Sequence, residues 1–217
     1  MGFGKQEVVS ITPPDFTTAV FKVIGLSPLV IHKFSHKMRK AMKEKQEAGS
    51  TAKASKKREK RDFDQDYKDS FHLSEEGWAG VPAAAFRNAM VTACKIVGFV
   101  MTRAKLAIFI ESEGIDADEG VGLIRIIGEP EKLEMITRVE TGQPTITVRP
   151  IWRKWEMNVR VTFDAGMLTL SDITNLLSRA GVQVGVGEGR PGSPDSCGMG
   201  WGTFRVENSK EKKNAGK

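Results

Sequence analysis

The chain has 217 residues, 40% hydrophobic and 28% charged, with a mean hydropathy of −0.29. That composition excludes a wholly disordered chain, and the length is enough to bury a core without disulfide or metal staples. The net charge is +6, but between Lys33 and Arg61 twelve basic residues face three acidic ones (Glu44, Glu47 and Glu59), so this segment carries +9 and the remainder −3.

So local a positive field attracts a polyanion. No apolar run approaches the ~18 residues of a membrane span. The N-terminal Met1–Gln6 lacks both an apolar signal core and the hydroxyl residue of a myristoylation site. Cys94 and Cys197 make neither a disulfide framework nor a metal cluster. The expectation is a cytoplasmic protein (host cytoplasm if phage-encoded) with reduced thiols, no membrane partner and no cofactor.

Residues 1–14 end in Pro13-Pro14 and read as a tail. Thr17–Ile24 is β-branched and aromatic, closed by Gly25, and reads as a strand. Lys33 to about Gln46 is expected to be a helix, with Phe34, Met38, Ala41 and Met42 on one side. Ala48–Arg58 is small, polar and basic, hence flexible. Phe63, Tyr67 and Phe71 then recur at helical spacing.

Ala83–Val97 is the clearest helix, with Pro82 at its start, Gly98 as its stop and Cys94 on its apolar face. Leu106–Ile110 and Val121–Ile127 are expected strands around an acidic turn, Glu111–Glu119. Thr145–Arg149 and Trp155–Phe163 are expected to form a bent or bulged strand pair, the second with clean alternation. Ser171 is the expected N-cap of a helix over Asp172–Ala180 that ends at Gly181. Gly202–Val206 is the last strand, before a charged tail at 207–217.

The simplified order is strand, helix, strand, strand, helix, strand. This predicts an α+β fold, a ferredoxin-like or RNA-recognition-motif-like antiparallel sheet. A single domain is expected over 15–206, with a basic insertion at 33–80 and a second insertion at 111–154.

Three constellations carry possible chemistry. Eight of the 22 glycines lie between Gly181 and Gly202. Glycine at that density means close backbone approach or positive φ. With Gly185, Gly187, Gly189 and Arg190, the segment suits phosphate contact, although its spacing fits neither a Walker loop nor a dinucleotide fingerprint. In Arg149-Pro150-Ile151-Trp152-Arg153-Lys154-Trp155, cations alternate with indoles, as suits a single strand of nucleic acid. Trp152 is expected at the surface and Trp155 in the core. His32 and His36 are weaker candidates: the pair lacks a third metal ligand, and His32 has the chemistry of a general base. His72 has no evident partner in the sequence.

Ile24-Gly25-Leu26-Ser27-Pro28-Leu29-Val30-Ile31-His32, the element order and the glycine-rich segment before the last strand resemble the RAMP superfamily. These are RNA-recognition-motif-like proteins that form the guide-RNA-binding backbone of CRISPR effector complexes. Val81–Phe86 and Val184–Glu188 are similar to segments of a set of small phage proteins, a likeness that runs over roughly residues 17–206. The first resemblance implies a homo-oligomer or filament along one strand, and the second a role in phage DNA replication or recombination.

The expected function is non-enzymatic binding of single-stranded nucleic acid, DNA first. Its expected contacts are Lys53, Lys56, Lys57, Arg58, Lys60, Arg61, Arg149, Trp152, Arg153, Lys154, Gly185, Gly187, Gly189 and Arg190. The alternatives are an RNA-processing endonuclease using His32 and a phage structural or assembly protein.

Overall fold

A computed structural model describes residues 12–33, 36–47, 61–138, 144–193 and 198–207. The stretch Ala48–Arg58, most of both tails, Phe34 and Cys197 lie outside the described residues.

The described residues form a mixed α+β protein built on antiparallel sheets, with five α-helices among them. In order they are β1 (Phe16–Gly25), β2 (Leu29–Val30), α1 (His36–Glu47), α2 (Phe63–Asp69), β3 (Gly80–Pro82), α3 (Ala83–Val97), α4 (Met101–Ala107), β4 (Ile108–Glu111), β5 (Gly114–Ile115), β6 (Gly122–Arg125), β7 (Glu131–Arg138), β8 (Pro144–Trp152), β9 (Glu156–Asp164), α5 (Leu170–Arg179) and β10 (Phe204–Val206). A four-stranded sheet has the order β10-β1-β9-β4. Two three-stranded sheets have the orders β2-β8-β7 and β3-β6-β5.

Period-two alternation makes the large sheet one-sided. Phe21 and Val23 of β1 and Met157, Val159, Val161 and Phe163 of β9 are buried. They share one core with Phe86, Met90 and Cys94 of α3 and Ile173 and Leu177 of α5. The other face mixes ion pairs, Lys22 with Glu156 at 2.7 Å and Arg160 with Glu111 at 2.9 Å, with the exposed side chains of Phe16, Val20 and Phe109. α3 begins and ends where the sequence indicates, and Gly98 closes it at φ 69°. Cys94 is fully buried, as expected, and burial pushes its thiol pKa up.

Five expectations need correction. The strand at Leu106–Ile110 starts only at Ile108, because α4 precedes it and buries Ala104 and Ala107. The guanidinium of Arg87 fastens that corner by donating to the carbonyls of Lys105 and Ile108. The expected strand pair around Pro150 is not a pair: β8 bonds to β7 and β2, whereas β9 bonds to β1 and β4. β7 gave no strand signal, since Glu131-Lys132-Leu133-Glu134 is poor in β-formers.

The N-cap of α5 is Thr169, not Ser171, with Asp172 completing a capping box. Gly181 does not end that helix. The chain continues through a π-helical turn, Ala180–Val184, and stops at Gly185, φ 73°. Gly181 instead lets Phe204 pack directly on the backbone.

The last correction bears on function. Trp152 is 1% exposed, and its ring meets Phe71 edge-on with centroids 5.7 Å apart. β8 is the middle strand of its sheet, so its C-terminal end is covered. Trp155 is buried as expected and donates its indole N–H to the Ser27 carbonyl at 2.8 Å. Both rings are core. Trp152→Ala is expected to cost about 3–5 kcal/mol of folding stability, which chemical denaturation would measure; a near-neutral change would contradict its place in the core.

Candidate functional site

The best-organised polar group in the molecule is built on one carboxylate. Asp116 follows β5 in the acidic turn and is 1% exposed. Its Oδ1 accepts from the backbone N–H groups of Asp118 and Glu119, both at 2.9 Å, and from Lys33 Nζ at 2.7 Å. Its Oδ2 faces His72 Nδ1 at 3.0 Å. Lys33 is 5% exposed and also reaches Asp118 at 2.9 Å. Burial alone would raise the Asp116 pKa, but Lys33, the two backbone donors and His72 outweigh it and hold the carboxyl at about 2. Burial likewise opposes the charge on Lys33, yet its two carboxylate partners raise its pKa above the ordinary value.

This cluster ties the start of the basic segment, Lys33, to His72, which lies eleven residues beyond the segment's end at Arg61. Lys33 opens the segment, and its backbone N–H donates to the Ser70 carbonyl at 3.1 Å. Arg39, early in α1, pairs with Glu119 at 3.1 Å. The segment's other end, Arg61, is fastened separately, on Asp66 of α2 and the Ile146 carbonyl of β8.

Beside the clasp is a cleft of about 470 Å³. Ile31 and His32 line it after β2, His72 after α2, and Ala84, Ala85, Asn88 and Thr92 along α3. Val186, Gly187, Glu188 and Arg190 form its glycine-rich wall. Ala84 and Ala85 at the start of α3, with Ala89 further along it, leave the space unfilled. Gly187, φ +80°, is required there, because a Cβ would stand 2.5 Å from the Val30 carbonyl oxygen. The Glu188 N–H donates to that same oxygen at 2.8 Å, docking the glycine-rich segment on the end of β2.

Glu188 lies between the Arg149 guanidinium, Nε at 3.0 Å, and the His32 imidazole, Nδ1 at 4.0 Å. Arg190 Nη1 donates to the Gly187 carbonyl at 3.0 Å. Burial is the main cause holding the His32 pKa below its ordinary value, Arg149 and His72 add to it, and Glu188 opposes.

The sequence candidates separate into groups. Arg149, Gly187 and Arg190 come together at the cleft or its rim. Gly185 and Gly189 also have positive φ but pack against their own chain, Gly185 near Gly202 and Gly189 under Trp201. Arg61 is committed internally: it binds Asp66 at 2.8 Å and the Ile146 carbonyl at 2.7 Å, tying α2 to β8. Arg153 is exposed and pairs with Glu131 at 2.9 Å, and Lys154 is exposed. Neither lines the cleft. Trp152 is unavailable to a base. Lys53, Lys56, Lys57, Arg58 and Lys60 lie outside the described residues.

Sequence reasoning missed Asp116 and Glu188, and it left His72 without the partner that sits 44 positions further along the chain. Among the described residues no helix is long and apolar enough to cross a membrane. No family model matches this chain, and no curated protein matches it.

Asp116→Asn should destabilise the fold by about 3–5 kcal/mol, the usual result of stripping one partner from a buried charge pair. The folded pKa lies below the unfolded value. The Asp116 contribution is therefore complete above about pH 4 and is lost as pH falls toward 2, a span worth about 2 kcal/mol. Urea melts of both proteins between neutral pH and pH 2 would check this. An unchanged acid slope in the variant would contradict the assigned role.

Proposed function

We propose that the chain binds single-stranded nucleic acid, DNA first, and multimerises along the strand without cutting it. One observation carries this reading. The segment holding +9 begins next to cleft-lining His32, and its first residue, Lys33, is clasped through Asp116 to cleft-lining His72. Phosphate-seeking charge is thus tethered at the mouth of a concave, glycine-walled site. The basic segment supplies the sequence-independent attraction, and the cleft receives part of one nucleotide.

The order β10-β1-β9-β4, with α3 and α5 packed on one face, supports a ferredoxin-like, RNA-recognition-motif-like sheet. In this reading one domain spans 15–206, with a basic insertion at 33–80 and a second insertion at 111–154. The resemblances to RAMP and phage proteins agree with it, and a fold by itself does not establish function. Nucleic-acid-binding sheets of this kind present aromatic rings centrally. Here the central positions of the open face are Val20, Lys22, Asn158 and Arg160, so the cleft side is the better candidate.

The location of His32 in the cleft also favours a second reading, an RNA endonuclease with His32 as base. Labelled ssDNA, ssRNA and duplex, incubated with the protein with and without chelator, separate the two. Retardation without cleavage is expected, and cleavage abolished by His32→Ala would replace the first reading with the second.

Two quantitative outcomes follow. Neutralising Lys53, Lys56, Lys57, Arg58 and Lys60 should weaken binding whatever the sequence and flatten the log–log salt dependence by about 0.7 per lost phosphate contact. Weaker binding with an unchanged slope would mean that these residues only shape the fold. A phosphate in the cleft should raise the depressed His32 pKa, so binding takes up a proton and strengthens as pH falls through the titration range of His32. NMR titration of the His32 ring, free and bound, measures it; an identical pKa in both states would place the strand elsewhere.

A further inference from the structure

His72 has a geometry that the binding reading above does not use. Its ring lines the cleft, yet its side chain is only 10% exposed. Its Nδ1 is turned toward Asp116, which does not line the cleft. Asp116 is fully buried, ionised and compensated by Lys33, so its carboxylate oxygens only accept. His72 must therefore donate from Nδ1. In the neutral ring the proton is then fixed there, and Nε2 carries the lone pair.

Nε2 has no hydrogen-bond partner among the described residues. With Nδ1 engaged by Asp116, Nε2 is the ring nitrogen left to a ligand in the cleft that His72 lines. The loop around it is anchored as well: the His72 carbonyl accepts from Gly80 N–H at 2.9 Å, and Glu119 Oε2 stands 4.0 Å from Nδ1. A buried carboxylate that orients a nearly buried imidazole produces a rigid acceptor in a cleft whose lining also carries Glu188 and Arg190.

We propose that His72 Nε2 is a recognition acceptor that takes a neutral O–H or N–H donor from the nucleotide in the cleft. The donor is a sugar hydroxyl or a base amine or amide, not a phosphate. A phosphate oxygen has no proton to give at neutral pH, so His32 and Arg190 serve the anion and His72 reads the group beside it. This inference rests on the strand entering the cleft.

Two variants of the full chain divide the roles of His72. His72→Asn keeps a donor near the Nδ1 position for Asp116 and removes the Nε2 acceptor. His72→Gln puts an amide oxygen near the Nε2 position and gives up the Asp116 bond. Anisotropy titrations use a short labelled RNA, its 2′-deoxy equivalent and an abasic strand, with thermal melting to confirm folding. His72→Asn is expected to remain folded and to bind about tenfold more weakly, and His72→Gln to bind more tightly than His72→Asn.

A defect confined to RNA assigns the 2′-hydroxyl as donor. A defect on RNA and DNA that vanishes on the abasic strand assigns the base. In the unaltered protein, the ¹⁵N resonance of His72 Nε2 should shift on binding while Nδ1 stays. If His32 resonances move on binding but His72→Asn binds normally and Nε2 does not shift, this inference is overturned and the binding reading stands. If oligonucleotide binds and neither histidine responds, this inference is overturned together with the placement of the strand in the cleft; if no oligonucleotide binds, the binding reading itself is overturned.

Discussion

The arrangement depends on a single buried negative charge. Asp116 gathers four donors, two from its own turn and two from residues 83 and 44 positions earlier in the chain. Burying a carboxylate is expensive unless its lone pairs are filled, and here they are. The same bonds fix where Lys33 and His72 sit. They thereby fix where a strongly basic stretch leaves the fold, and which nitrogen of an imidazole lining the cleft is already engaged. Without Asp116, Lys33 would lose the nearer of its two carboxylates, and the His72 ring would be free to turn.

The cleft wall is held by a different device. A π-helical turn carries the chain out of α5, and Gly185 ends it in a conformation open to few other residues. Gly187 then brings backbone against the end of β2. A π turn costs regular hydrogen bonding and is often retained where a helix end must be re-aimed at a site. In this protein it directs Val184, Glu188 and Arg190 to the cleft. Arg149, from the middle strand of a separate sheet, meets them through Glu188. The site is thus assembled from β2, α3, β8 and the glycine-rich segment, and rests on the core shared by Phe86, Phe204 and Trp155.

How far this was legible in the sequence depends on whether the signal was local. α3 was read almost to the residue, because its apolar spacing, Pro82 and Gly98 all lie within seventeen positions. The alternation of β9 was equally plain. Pairing was not, because β8 and β9 are neighbours in sequence yet bond in different sheets, and only long-range packing decides that. Trp152 shows the same limit: cations flanking an indole look like a nucleic-acid platform until the strand is found in mid-sheet. The glycine-rich segment was correctly read as close backbone approach, but for Gly185, Gly187 and Gly189 the close neighbours are largely the protein itself. Asp116 and His72 were invisible as a pair, since nothing in either local sequence points to the other.

The central claim is that a single strand runs from the basic segment into the cleft beside His32. Photo-crosslinking of a 4-thiothymidine-containing strand, followed by mass-spectrometric mapping of the modified peptides, tests it most directly. The account predicts crosslinks in peptides carrying residues 32–61 and 184–192. Crosslinks confined to the open face of the large sheet, around Val20 and Asn158, or no crosslink under conditions where the strand is retarded, would contradict it.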